Sequence, residues 1–212
     1  WQAAIDGTRP GVDEADILAD MHAVVYRGGG DGAANEFIIG SGPGALMCRY
    51  YTGRRKLQPT DQLTLEFAGS YRHYHAAMMQ TIGIGKPPAR QHDLWQAGTD
   101  ALLACEAALR PGNTIGDVFE AHVRVLDTAG LSNFRLNACG YSLGATFAPI
   151  WMDGFMAYRD NPVIIQPGLV YFLHMIIFDD ETGLAATPGR TSLVTASGAE
   201  VLSRSGLEFV IK

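Results

Sequence analysis

Two stretches of the chain place apolar residues at helical spacing, and the second is the clearer. There Ile115, Val118, Phe119, His122, Val125 and Leu126 recur on one face, the pattern of an amphipathic helix lying on a core. Thr114 stands at the cap position with Asp117 three residues on, a carboxylate beside the positive helix end. Gly130 is placed to stop the helix. The first stretch matches it at a constant offset of 101 residues: Arg9-Pro10-Gly11 answers Arg110-Pro111-Gly112, Asp16 falls on Asp117, Ile17 on Val118, Leu18 on Phe119, Val24 on Val125 and Gly29 on Gly130. Aligned caps, apolar faces and terminating glycines predict an internal duplication.

Each predicted helix precedes strand-like runs rich in β-branched and aromatic residues. Residues 37–40, 63–67 and 71–84 follow the first; residues 169–178, 191–195 and 207–211 follow the second. Between the halves, residues 90–109 are apolar-periodic and carry a single glycine, Gly98, so a long helix is predicted there. The order of helices, strands, helices and strands implies an α+β fold, with a mostly antiparallel sheet covered by helices and a pseudo-twofold repeat. No Pro/Gly/Ser-rich linker divides the chain, so residues 1–212 are read as one domain.

Charge narrows the function classes. Sixteen Lys+Arg against 22 Asp+Glu leave a net charge of −6, and without a basic excess no counterions are released from a nucleic acid. The longest apolar stretch, residues 168–178, is interrupted by His174 and is well short of the roughly 18 residues of a membrane span. Trp1-Gln2-Ala3-Ala4 lacks the basic start and apolar run of a signal peptide. Cys48, Cys105 and Cys139 form no CxxC pair, which fits a reducing, cytoplasmic setting. The expected partner is a small-molecule substrate, with neither nucleic acid nor membrane.

Candidate chemistry centres on Glu66, set in the apolar run Leu63-Thr64-Leu65-Glu66-Phe67. An inward carboxylate in such a strand is desolvated, which suits a general base or a carboxylate nucleophile; a solvent-facing glutamate paired with Arg72 is the other reading. His73 and His75, two apart, share a face with Tyr71 in a regular strand. They either handle protons and a substrate carboxylate or simply pack, and an HxH without a carboxylate partner is a poor metal site. Tyr141, flanked by Gly140 and nearby Gly144, is either a donor to an oxyanion or leaving nitrogen, or a turn residue stacked on the sheet. Trp151 and Asp153 read as an aromatic wall and a partner for a cationic substrate, or as a surface turn. Arg49 reads as a clamp for a substrate carboxylate, or as one more surface cation near Arg54-Arg55-Lys56. His174, within an otherwise apolar strand, is a core histidine or a cavity residue. Gly83-Ile84-Gly85-Lys86 fails as a phosphate loop because Pro87 replaces the required Ser/Thr.

Five segments in order resemble the creatinase/methionine aminopeptidase/Xaa-Pro peptidase superfamily. They are Pro59 with the strand ending at Gly69, the run from Tyr74 to Thr81, Gly140-Tyr141-Ser142-Leu143-Gly144, Pro167-Gly168-Leu169-Val170-Tyr171 and Thr191-Ser192-Leu193-Val194-Thr195. The resemblance implies the pita-bread fold, with a curved sheet under helices. It implies a homodimer, and an N-terminal domain lying outside this chain. The peptidases hold two metal ions with two Asp, one His and two Glu; laid onto this sequence, those places carry Glu66, Ala77, Tyr141, His174 and Gly189. Two dications need several anionic ligands, so no metal and no cofactor are expected. The run from Leu65 to His75 and the glycine-flanked Tyr141 are similar to the metal-free branch of creatinase and ectoine hydrolase. Arg49 occupies the place of a histidine found in that branch, and a guanidinium is no general base. The expectation is a metal-independent hydrolase of a C–N bond in a small nitrogenous carboxylate compound. Glu66, Tyr141 and His174 would be catalytic, and Arg49, His73, His75, Trp151 and Asp153 would bind substrate. A peptidase with an altered metal site and a non-catalytic ligand-binding domain are the alternatives.

Overall fold

In the computed structural model, which describes residues 1–47 and 54–212, the predicted duplication is visible in the backbone. Helix α1 (Gln2–Gly7) leads into α2 (Glu14–Arg27); α3 (Ala89–Ala108) leads into α4 (Ile115–Thr128). Helices α2 and α4 have 14 residues each and start 101 residues apart. Both follow a left-handed glycine, Gly11 (φ 86°) and Gly112 (φ 92°), and both are ended by another, Gly29 (φ 81°) and Gly130 (φ 74°). The Thr114–Asp117 capping box forms as expected, the threonine hydroxyl accepting from Asp117 N at 3.1 Å and the carboxylate from Thr114 N at 2.7 Å. In the first copy Asp13 caps alone, through Ala15 N at 2.8 Å.

The strands are β1 (Ile38–Ser41), β2 (Gln62–Tyr71), β3 (Tyr74–Gly83), β4 (Gly140–Leu143), β5 (Met152–Met156), β6 (Val170–His174), β7 (Ile177–Asp179), β8 (Leu184–Ala186), β9 (Gly189–Thr195), β10 (Gly198–Val201) and β11 (Val210–Ile211). The main sheet runs β1-β2-β3-β9-β6-β4-β5, with β10 beside β9 and β11 beside β3. Only the β11–β3 pairing is parallel among those described. The α+β class and antiparallel character follow the sequence pattern; three local readings change. Residues 71–84 are not one strand, because Arg72 (φ 51°) and His73 (φ 65°) form a two-residue hairpin turn closed by the Tyr71–Tyr74 pair. Residues 169–178 split into β6 and β7. Tyr141 and Asp153 lie in strands β4 and β5 rather than in turns.

Register exposes the twofold relation. Ile38 pairs with Glu66, Glu66 with Met79, Met79 with Gly189, and Gly189 with His174. His174 N in turn donates to Cys139 O at 3.0 Å, and Cys139 lies 101 residues after Ile38. Glu66 and His174 are therefore pseudo-symmetry mates about an axis between Met79 and Gly189. The same axis relates two hydroxyl contacts, Thr81 with Thr187 (2.9 Å) and Thr191 with the Ala77 carbonyl (2.7 Å).

Two cores flank this sheet. Leu94, Leu102, Val118 and Leu126 of α3 and α4 pack with Tyr171 and Leu173 of β6. Ile17 and Met21 of α2 pack with Leu63, Leu65 and Ile82, in a cluster that extends to Tyr141, Trp151 and Phe172. Arg190 of β9 is clamped to Glu106 of α3 by two bonds of 2.6 and 2.7 Å, both side chains largely buried. His122 is fully buried beside Phe119, and neither ring nitrogen has a hydrogen-bond partner among the described residues. Cys105 and Cys139 are free and buried, and burial drives the Cys105 thiol well above its ordinary value, so it packs rather than reacts.

Breaking the clamp leaves a buried charge alone, so Arg190→Met is expected to lower unfolding free energy by about 3 kcal/mol in urea titration. Burial, followed by the charges of Arg135 and His174, lowers the His122 pKa to about 3 from 6.5. The folded state thus binds fewer protons than the unfolded chain, and stability is full above pH 6.5 and falls as pH drops towards about 3. Replacing His122 by leucine is expected to flatten thermal stability across that interval relative to the parent; an unchanged slope would contradict the assignment.

Candidate active site

Strand β2, second in the row, carries Glu66 to a cavity. It is 9% exposed, and its Oε1 accepts the Tyr141 hydroxyl at 3.0 Å. Tyr141 Oη in turn accepts the Trp151 indole N–H at 2.7 Å. An indole N–H only donates, so the Tyr141 oxygen acts as acceptor toward Trp151 and the phenolic hydrogen points at the carboxylate. The Tyr141 ring is 5.5 Å from His174, and both lie 5.3 Å from Phe172. Three inter-strand spacings of a flat sheet would hold Glu66 and His174 about 14 Å apart at Cα, yet both line one cavity of about 160 Å³. Tyr141, on β4 one strand beyond His174 in the row, still reaches Glu66 by hydrogen bond and lies against the His174 ring, so the sheet curls around it.

Leu136, Ile150, Met152, Met156 and Ile176 make the cavity's apolar wall, and Trp151 closes one side. Among the described residues, Asn35, from the loop before β1, is its remaining polar side chain. Such a hollow, apolar with a few convergent polar groups, is the form of a small-molecule site. Among the described residues, no three His, Cys, Asp or Glu converge as a metal-holding group. Gly189 packs tightly: an added Cβ would meet Leu173 O at 2.9 Å and the His174 Cα and Cβ at 3.1 Å.

The sequence profile of metallopeptidase family M24 matches residues 1–196. The chain belongs to that family. An uncharacterized hydrolase/peptidase, y4tL, from Sinorhizobium fredii is 29% identical over 96% of this chain and 52% of its own length. The ectoine hydrolase of Halomonas elongata is 25% identical over 96% and 53%. The crystal structure of dipeptidase PepE from Mycobacterium ulcerans superposes with a TM-score of 0.90 at 25% identity, covering 99% of this chain and 55% of that one. The pita-bread architecture is thereby established, and the M24 chain spans about half the length of the curated relatives it matches.

Of the residues singled out in this M24 sequence, Glu66, Tyr141, His174 and Trp151 meet at the cavity. The Arg72 alternative for Glu66 gives way to Tyr141, because the hairpin turn carries Arg72 to the Tyr71 ring, 5.6 Å away. His73, expected beside His75, is exposed at the turn and packs at a tilt against the Phe147 ring, 4.4 Å away. His75 is buried but does not line the cavity; it takes the Ala34 N–H on Nε2 at 2.9 Å. Asp153 is exposed on β5, its carboxyl close to Gly144 rather than to Glu66. Arg49 lies outside the described residues. Asn35, Met152 and Met156 had no signal in the sequence, since each reaches the cavity only through tertiary closure. No helix among the described residues is long and apolar enough to cross a membrane.

Tyr141→Phe removes both the donor to Glu66 and the acceptor of the Trp151 N–H, and should cost about 1–3 kcal/mol in chemical denaturation. Combined with Glu66→Leu, the loss should fall short of the sum of the two single variants; strict additivity would deny the coupling.

Proposed function

We propose that this M24 chain carries the catalytic machinery of a hydrolase that breaks a C–N bond in a small nitrogenous carboxylate compound without the paired metal ions of the peptidases. The observation that carries the reading is the ordered Trp151–Tyr141–Glu66 contact inside an apolar hollow. A cation bound between Glu66 and Tyr141 would have to displace the phenolic hydrogen already there. Ala77 and Gly189 offer no side-chain donor, and the contacts at Gly189 leave no room for one without moving β6. This donor set does not fit a pair of dications.

In the proposed reaction Glu66 takes a proton from water as the water oxygen bonds to the amidine or amide carbon. The C–N bond then breaks while Glu66 returns that proton to the leaving nitrogen, so the carboxylate ends as it began. Tyr141 orients the carboxylate, and His174 faces the substrate from the pseudo-symmetric side. A negative carboxylate beside an indole wall favours an amidinium-like group, and ectoine, the compound in one relative's name, is a cyclic amidine bearing a carboxylate. The reading extends to a cytoplasmic setting, from the cysteine usage, and to a homodimer, as the family resemblance implies.

The test is ectoine hydrolysis by the parent and by Glu66→Gln, each with and without a chelator. The expected outcome is a loss of about 10²–10⁴-fold in the variant and no effect of chelation on the parent. The family's name and the dipeptidase relative supply the competing reading, a peptidase with a rearranged metal site. Cleavage of a Xaa-Pro dipeptide that depends on added Mn²⁺, or full turnover by Glu66→Gln, would replace our proposal.

A further inference from the structure

His75 is 6% exposed and sits behind Trp151, with ring centroids 6.4 Å apart. Its two nitrogens have assignable roles. Nε2 receives the Ala34 amide hydrogen at 2.9 Å, so it carries no proton of its own. Nδ1 is 3.2 Å from the Thr146 hydroxyl. That hydroxyl lies 3.3 Å from the Trp151 carbonyl, which can only accept, so its hydrogen goes there. The oxygen is then left to accept from Nδ1–H. Two independent constraints select the same neutral tautomer.

The consequence runs to the cavity. Backbone bonds from His75 N to Gly144 O (3.3 Å) and from Thr146 N to His73 O (3.0 Å) lay the segment before Trp151 along the start of β3. We propose that His75 and Thr146 are positioning residues: His75 holds Thr146, Thr146 holds the Trp151 carbonyl, and the seated indole fixes the Tyr141 hydroxyl on Glu66. This role rests on the reading of Tyr141 and Glu66 as the working pair, and it gives His75 a place in the reaction without contact with substrate.

The surroundings of His75 set its response to acid. Asp31 and His73 are the nearby charged or titratable groups acting on it, and Tyr71, Arg72 and Tyr74 share the groove on its outer side. Burial, the largest influence, lowers its pKa from 6.5. Protonation puts a hydrogen on Nε2 facing the Ala34 N–H, two donors head to head, so the arrangement is intact above that lowered pKa and lost below it.

The test reads the Trp151 indole N–H by proton–nitrogen NMR on the full chain, with the resonance assigned by its loss in Trp151→Phe. In the parent the indole proton should shift as His75 titrates on the acid side of pH 6.5. Thr146→Val, which keeps the shape and removes the hydroxyl, should displace the resonance at neutral pH and abolish that titration; Thr146→Ser should restore both. A valine variant that matches the parent, or a serine variant that matches valine, overturns the proposal. On ectoine, Thr146→Val should lower kcat about tenfold and leave KM nearly unchanged; a raised KM at unchanged kcat would make these residues substrate ligands instead. The resonance needs no substrate, so a chain inert towards ectoine can still support the positioning role while the hydrolase reading fails.

Discussion

The pairing of the two halves across Met79 and Gly189 is the constraint on which the molecule turns. A side chain at Gly189 would press on the β6 backbone at Leu173 and His174, so β9 lies this close to β6 beside the seam because that position is bare. Beside it, Arg190 is tied to α3 through Glu106, which fixes β9 from the helix side. Thr81 with Thr187 and Thr191 with the Ala77 carbonyl then stitch the seam from either flank. With the seam set, the register puts Glu66 and His174 at equivalent distances from the axis.

That symmetry is one of backbone, and the chemistry departs from it. One mate is a carboxylate and the other an imidazole, and Tyr141 touches both: by hydrogen bond to Glu66 and by ring contact with His174. The apolar wall comes mostly from the second half, whereas Glu66 and Asn35 come from the first. A duplicated scaffold supplies the hollow, and unlike residues at like positions give it direction.

Much of this was legible in the sequence because it was written in local patterns. The capping residues Thr114 and Asp117, the stopping glycines and the apolar faces fixed the helices and their repeat. Glu66 stood out as the one charge in an apolar strand. What escaped was decided by backbone conformation or by closure in three dimensions. The positive φ of Arg72 and His73 makes a turn that no propensity demands, and it separates His73 from His75 onto different surfaces. Asp153, read either as a partner for a cationic substrate or as part of a surface turn, lies within β5 because β4 offers that segment a pairing edge. Thr146 is one threonine in a loop until Trp151 folds over it.

The run of hydrogens from Ala34 to Glu66 also has an electrical character. Each donor faces the same way, but the run passes through the covalent frame of Trp151, from its carbonyl to its indole. A proton cannot hop across that frame, nor can an amide or an indole nitrogen readily surrender its hydrogen and reload from the other side. The array can orient charge and cannot conduct it. Along this route Glu66 is insulated from bulk water behind Trp151, and a proton it gains or gives on that account travels through the hollow, where it is shared with whatever molecule is bound there.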